Sequence, residues 1–296
     1  MHLSASIELD SKSGMCQIDG VSYPMIGFGT YPLTGHICTQ AVKEALEAGY
    51  RVIDTATRYS NFEAIAQALK DVDRGDVYII SKVWHDMLQP ENVRLDLEKT
   101  LEQLQIEYLD TYLIHWPNSQ VPIDKTLRAM EELRQDKKIR HIGLSNVSFN
   151  HLKKALAVGV PISWVQVEMH PYFCDFELLK LCKEKCIAVQ AWSPLGRGRI
   201  CDDALIAKIA KKYGKTPAQL ALRWIIQHLC MPLPSSTKAK HIHENKEIAD
   251  FFLAIEEMQE IDQRAKMGER KRIMKEKAGF TDEFDFSYEE CWPNGG

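Results

Sequence analysis

RVIDTATRY (51–59), VYIISK (77–82) and LDTYLIH (109–115) are short apolar runs, and a polar or ionisable residue stands at or just past the end of each. The residues are Asp54, Tyr59, Lys82 and His115. A buried Lys or Asp is costly unless its charge is compensated, so their recurrence at three successive strand ends implies one shared acid–base site. Working outward, PMIGFG (24–29), IRHIGLS (139–145), WVQVEMH (164–170), IAVQAWS (187–193) and MPLPSS (231–236) bring the runs of strand length to eight. Most are too continuous to alternate inside with outside, as expected of parallel strands covered on both faces.

Amphipathic helices fill the intervals. In PENVRLDLEKTLEQLQ, Val93, Leu97, Leu101 and Leu104 keep helical spacing on one face. Thr216-Pro217 reads as an N-cap and first helical residue before AQLALRWIIQH, and Gly49 closes the helix of TQAVKEALEA. NFEAIAQAL (61–69) reads as another helix, with Phe62 and Ala66 compatible with its interior. DDALIAKIAKKYG adds a helical segment between the last two strands. CQIDGVSYP, with Asp19-Gly20, reads as a hairpin ahead of the first strand. Strict strand–helix alternation predicts an α/β fold, a (β/α)₈ TIM barrel with an N-terminal β-hairpin. A doubly wound open sheet is the alternative, but it scatters strand-end residues that a barrel converges on one face. No GxGxxG follows a strand, and no Pro/Ser linker divides the chain. Residues 1–296 therefore read as one barrel domain, with a C-terminal tail from about residue 266 that is loose or folded over the site.

The chain has 296 residues, 26% charged, with a net charge of −4, so no global basic field points to nucleic acid. The basic run RAKMGERKRIMKEK (264–277) is diluted by Glu269 and Glu276 and reads as a solvated segment. MHLSASIELD lacks the flank and apolar run of a signal peptide, and no run approaches the ~20 apolar residues of a membrane span. A cytoplasmic protein with reduced thiols is the expectation for its eight cysteines. Cys182 and Cys186 are four apart on a predicted helix with nothing to complete a zinc site, so no metal is expected.

DTATRYSN, ISKVW, LIHWP, IGLSN, QVEMHPY, AWSPLGRG and TPAQLALRW occur in the order found in the aldo-keto reductases. The chain resembles that family over roughly residues 20–265, and its PSSTK wording resembles the bacterial diketogluconate-type members. The resemblance implies that hydride passes from a reduced nicotinamide to an aldehyde or ketone while Tyr59 protonates the oxygen. Lys82 then lowers the Tyr59 pKa from its usual ~10, Asp54 holds Lys82, and His115 orients the carbonyl. Taken singly, each has a bland reading: packing for Tyr59 and His115, a solvated charge for Lys82, a turn residue for Asp54.

The same resemblance places the nicotinamide carboxamide at Ser145, Asn146 and Gln166. Trp192 stands where relatives usually carry a stacking Tyr, and Ser193, Leu195 and Gly196 fall in the loop over the pyrophosphate. Thr30 and Asp54 join the cofactor set, as do Ser235, Ser236, Thr237, His241 and Asn245. The departure lies at the eighth strand: Ser235 replaces a Lys, and His241 an Arg that often contacts the 2′-phosphate. NADPH is the expected cofactor, with NADH the alternative and Lys238 or Lys240 as substitute cations.

Tyr31, Trp84, His115, Trp116 and Trp292 are the candidate walls for a small carbonyl substrate. The short segment after His115 predicts a pocket open on that side. The expected particle is a monomer or weak homo-oligomer without nucleic-acid or membrane partners. Two rivals remain: a catalytically silent nucleotide-binding barrel acting as sensor, associated subunit or structural protein, and a barrel enzyme using Lys82 as a Schiff-base amine.

Overall fold

Asp19 and Gly20 take left-handed backbone angles (φ 50° and 81°), the geometry a two-residue hairpin turn demands. They join β2 (Met15–Ile18) to β3 (Val21–Pro24) with Ile18 opposite Val21. The computed structural model describes residues 7–118 and 120–267. The tail beyond Met267, including Trp292, lies outside the described residues.

The hairpin is larger than the sequence implied. β1 (Ile7–Asp10) pairs antiparallel with β2, making a three-stranded sheet. Ile7 and Leu9 alternate with Glu8 and Asp10, too short a signal to stand out alone.

Eight parallel strands follow in chain order around one sheet. They are β4 (Gly27–Gly29), β5 (Val52–Asp54), β6 (Tyr78–Val83), β7 (Leu109–Ile114), β8 (Ile139–Ser145), β9 (Trp164–Glu168), β10 (Ala188–Trp192) and β11 (Cys230–Pro232). Closure comes from the Gly29 N–H, which donates to Pro234 O at 2.9 Å. Only glycine fits there, because a Cβ on Gly29 would lie 2.8 Å from Leu233 O. The expected strand at 231–236 ends at Pro232, since Pro232 and Pro234 have no N–H for the ladder.

The surrounding helices are α1 (Gly35–Glu47), α2 (Phe62–Leu69), α3 (Pro90–Leu104), α4 (Ile123–Gln135) and α5 (Phe149–Leu156). They continue with α6 (Phe176–Glu184), α7 (Ala204–Lys212), α8 (Pro217–Gln227), α9 (Ala239–Lys246) and α10 (Ile255–Met267). Thr216 caps α8 in a reciprocal box with Gln219, as the Thr-Pro signal implied. The segment read as DDALIAKIAKKYG is α7, and Phe62 and Ala66 are buried in α2. Cys186, expected on a helix beside Cys182, lies past the end of α6 in a left-handed turn.

Inside the barrel, Val52, Tyr78, Ile80, Leu113, Trp164 and Met231 pack with Cys16, Ile18 and Tyr23 of the small sheet. Val52, Tyr78 and Trp164 begin their strands, so the small sheet plugs the N-terminal end. That leaves the C-terminal end for chemistry.

Candidate active site

Side chains alternate along a strand, so the residue two beyond an inward apolar one also points inward. Applied to the barrel core, Val52 leads to Asp54, Ile80 to Lys82, Leu113 to His115, Trp164 to Gln166, and Ala188 to Gln190 and then Trp192. Parallel strands bring all of these to one end. The register staggers neighbouring strands, so Asp54 lies opposite Ile80 and Lys82 opposite Leu113.

Lys82 is fully buried and donates in three directions. Its Nζ lies 2.8 Å from Asp54 Oδ1, 2.8 Å from Thr55 O and 3.3 Å from the Tyr59 hydroxyl. The other Asp54 oxygen accepts from Gln166 Nε2 at 2.7 Å, and Gln166 also donates to Gln190 Oε1 at 2.9 Å. An ammonium has donors only, so Tyr59 must accept from Lys82. The phenol's own proton is thereby left for another acceptor on the open side.

Burial pushes the Tyr59 phenol well above its ordinary value, and the Asp54 and Tyr31 charges push the same way. The net shift is upward where the sequence reading expected a fall, and burial is its first cause. Burial also pulls the Lys82 ammonium below its usual value, while Asp54 pushes it back up. Burial outweighs the Lys82 cation at the phenol, although Nζ lies 3.3 Å from its oxygen. Tyr59 therefore holds its proton at neutral pH.

His115 follows β7, its ring 5.7 Å from Tyr59 and 5.0 Å from Trp84, edge-on in both cases. Burial, then Lys82 and His85, hold its imidazole well below the usual value, so it is neutral. Its Nδ1 is buried without a hydrogen-bond partner. Tyr31 is exposed, with its ring 5.1 Å from Tyr59, and Trp84 is buried. Trp116 is partly exposed. A separate cavity of about 210 Å³ opens beside the segment after His115, lined by Leu88, Ile114, Val121 and Ile123 among others. None of the four converging polar residues lines it, so the aromatic mouth above Tyr59 and His115 is the better candidate for chemistry.

The residues assigned to a cofactor divide into two groups. Some are engaged within the protein. Thr30 directs both its N–H and its hydroxyl to Asp54 O and accepts from Asn61, so it braces Asp54 from behind. Asn146 donates to His115 O at 2.8 Å and to Ser145 Oγ at 3.0 Å, and accepts from Trp192 Nε1 at 3.0 Å. These bonds hold the Trp192 indole at the barrel mouth. Asn245 is buried in α9.

The second group faces outward. Ser193, Gly196, Arg197 and Gly198 all have positive φ, which folds the loop after β10 into a cradle. The Gly196 N–H already donates to Ser193 O, and the side-chain donors of the loop are the Ser193 hydroxyl and the exposed Arg197 and Arg199. Ser235 and Ser236 are half-buried ahead of α9, and Thr237, Lys238, Lys240 and His241 are exposed. Ser236 Oγ accepts from the Lys238 N–H at 3.1 Å, leaving its proton free. Stacking indole, positive-φ loop, free hydroxyls and unburied cations fit a nicotinamide dinucleotide. Ser145, Gln166, Trp192 and Ser193 would hold its nicotinamide half, and Leu195, Gly196, Ser235, Ser236 and Thr237 its phosphates.

Several supporting residues escaped the sequence reading. Asn61 accepts from Thr55 at 2.7 Å and donates to Thr30 and Leu33 O, tying the loop after β5 to the loop after β4. Thr57 Oγ1 lies 3.0 Å from Lys82 O and 2.9 Å from Asp96 Oδ2, which also accepts from Tyr112 at 2.5 Å. Thr57 has one proton and two acceptors beside it. Burial pushes the Asp96 carboxyl above its usual value, and the Tyr112 and Thr57 hydroxyls that donate to it pull the other way. The turn that carries Tyr59 is thus pinned to the strand that carries Lys82. The signal was available, since Asp96 sits on the buried face of α3 with Val93, Leu97 and Thr100. Asp96→Ala is expected to lower stability by about 1–3 kcal/mol for each hydroxyl left unpaired. An unchanged urea midpoint would remove Asp96 from this role.

Strand order and pairing make the molecule a (β/α)₈ barrel. The profile of the Aldo/keto reductase family matches residues 25–266, and the chain belongs to that family. It is 42% identical over 248 residues to the glyoxal reductase of Bacillus subtilis (strain 168), covering 82% of this chain and 90% of that protein. The aldose reductase structure from Schistosoma japonicum superposes with a TM-score of 0.80 at 34% identity, covering 86% of this chain and 92% of that one. A structure provisionally described as 2,5-diketo-D-gluconic acid reductase B gives 0.82 at 30% identity, covering 91% and 95%. The activity is that of the family, NAD(P)H-dependent reduction of a carbonyl to an alcohol. No helix among the described residues is long and apolar enough to cross a membrane.

Proposed function

We propose that the protein reduces a small aldehyde or ketone with NADPH in preference to NADH, and that Tyr59 delivers the proton. The contact between Lys82 Nζ and the Tyr59 hydroxyl carries this reading, because it turns the phenol's proton away from Lys82. The bound cofactor supplies the hydride. Lys82 fixes the Tyr59 oxygen and offsets charge as the phenol gives up its proton, while Asp54 and Gln166 keep Lys82 in place. An alkoxide is far more basic than a phenolate, so a phenol with a raised pKa still protonates it. Neutral His115 presents a ring nitrogen to the substrate oxygen and orients it. Tyr31, Trp84 and Trp116 wall the substrate and restrict water. Loss of NADPH absorbance with a panel of aldehydes, ketoacids and ketosugars tests the reading. Absence of turnover across the panel would overturn it.

The protein acts, on this reading, as a single barrel domain, a monomer or weak homo-oligomer in the cytoplasm. The free state of all seven cysteines among the described residues supports a reducing compartment.

Preference for NADPH rests on Ser236, Thr237, Lys238 and Lys240, since His241 stands in place of a bidentate Arg. His241→Arg is expected to tighten NADPH about ten- to a hundredfold, the worth of one charge-assisted hydrogen bond, and leave NADH nearly unchanged. Cofactor titration by protein fluorescence reads both constants. Equal tightening of both would show that residue 241 does not face the 2′ position.

A further inference from the structure

Arg58 immediately precedes Tyr59 in the turn Thr57–Tyr59 and is not part of the hydrogen-bonded support just described. Thr57 is held by Asp96 and Lys82, and Tyr59 by Lys82, so the backbone that presents Arg58 is fixed on both sides. Its side chain is exposed, and its guanidinium carbon lies 5.5 Å from the Trp84 ring centroid. Trp84 is itself edge-on to His115 at 5.0 Å. One indole therefore separates the cation from the imidazole that faces the reacting carbonyl. The Arg58 charge also helps hold His85, the next residue along that wall, below its ordinary pKa.

Other charges near the mouth do not take over this role. Lys82 is balanced by Asp54. Asp86 faces His85 with the opposite sign, but among the described residues no ion pair joins it to Arg58. A solvated guanidinium stacked on a buried indole keeps its planar fork of donors turned outward and partly ordered. Such a fork matches a carboxylate in bidentate geometry.

We propose that Arg58 selects carbonyl substrates bearing a carboxylate a few bonds from the aldehyde or ketone. The inference rests on Tyr59 and His115 marking the reacting carbonyl, and it adds the chemical class of the substrate. Trp84 packs against the linking carbons, and the carboxylate meets the guanidinium at the rim. Arg58 touches the substrate away from the bond that changes, so it governs capture more than turnover.

The test compares 4-oxobutanoate with butanal, in the wild type and in Arg58→Met and Arg58→Lys. The wild type should favour 4-oxobutanoate, with the preference shrinking as salt rises. Arg58→Met should lower kcat/KM for 4-oxobutanoate about tenfold, chiefly through KM, and change butanal less than about twofold. Arg58→Lys should recover part of the loss, as a point charge without the fork. Equal losses on both substrates, or no wild-type preference, would overturn the inference while leaving the reductase reading intact. Turnover of neither would overturn both. A third arm sets glyceraldehyde 3-phosphate against glyceraldehyde; an Arg58-dependent gap there alone would replace the carboxylate by a phosphate ester.

Discussion

Tyr59→Phe is expected to lower kcat for aldehyde reduction by about 10²–10⁴-fold, the usual contribution of a positioned general acid. The ring is retained, so its contacts with Tyr31 at 5.1 Å and His115 at 5.7 Å survive. What disappears is the oxygen that accepts from Lys82 and the proton it leaves pointing outward. NADPH affinity should hold within about twofold, because the loop after β10 and the groups ahead of α9 are untouched. Lys82 keeps two of its three partners, Asp54 and Thr55, so the fold should be nearly as stable as the wild type. Retention of more than about a tenth of kcat would remove Tyr59 as the acid and shift attention to His115.

Most of the architecture could be read from strand-length runs, because a parallel strand inside a barrel is apolar on both faces until its last residues. Ile80-Ser81-Lys82 shows how far that reading reaches: the run predicts the strand, and its polar end predicts the site. Period two would have reached further. Gln190 lies between Ala188 and Trp192 on the inward face, and it bonds to the Gln166 that holds Asp54. Asp96 was hidden for a related reason. Counting apolar residues finds the buried face of α3 but passes over the one carboxyl lying on it.

The direction of the Tyr59 shift was not legible, because it is set first by how deeply the phenol is buried and only then by the Asp54 charge. A sequence names a cation near the phenol but not the burial that outweighs it. Thr30 is a similar case. The resemblance placed it among the cofactor residues, and its own donors turn back to Asp54 O. The outer cofactor groups remain readable as exposed hydroxyls and cations, of which Lys240 is shared with Glu244 at 3.6 Å.

Lys82→Met carries the second large effect, on stability as well as rate. Removing the ammonium leaves Asp54, 5% exposed, with Gln166 as its remaining side-chain donor, and breaking a buried pair on one side costs about 3–5 kcal/mol. The variant should unfold at a lower urea concentration and be nearly inactive. Residual activity should fall off at a higher pH than in the wild type, because Asp54 alone now faces the phenol and opposes its ionisation. Asp54→Asn should be milder: Lys82 keeps Thr55 O and Tyr59, and an amide oxygen can still accept from it. The double variant Asp54→Asn, Lys82→Met decides between charge and packing. If the single-variant loss is an uncompensated buried carboxylate, neutralising that carboxylate should restore much of the stability, while activity stays low because Tyr59 has lost its donor. A double variant as unstable as Lys82→Met would mean that the methylene stem of Lys82, packed inside the barrel, matters more than its charge.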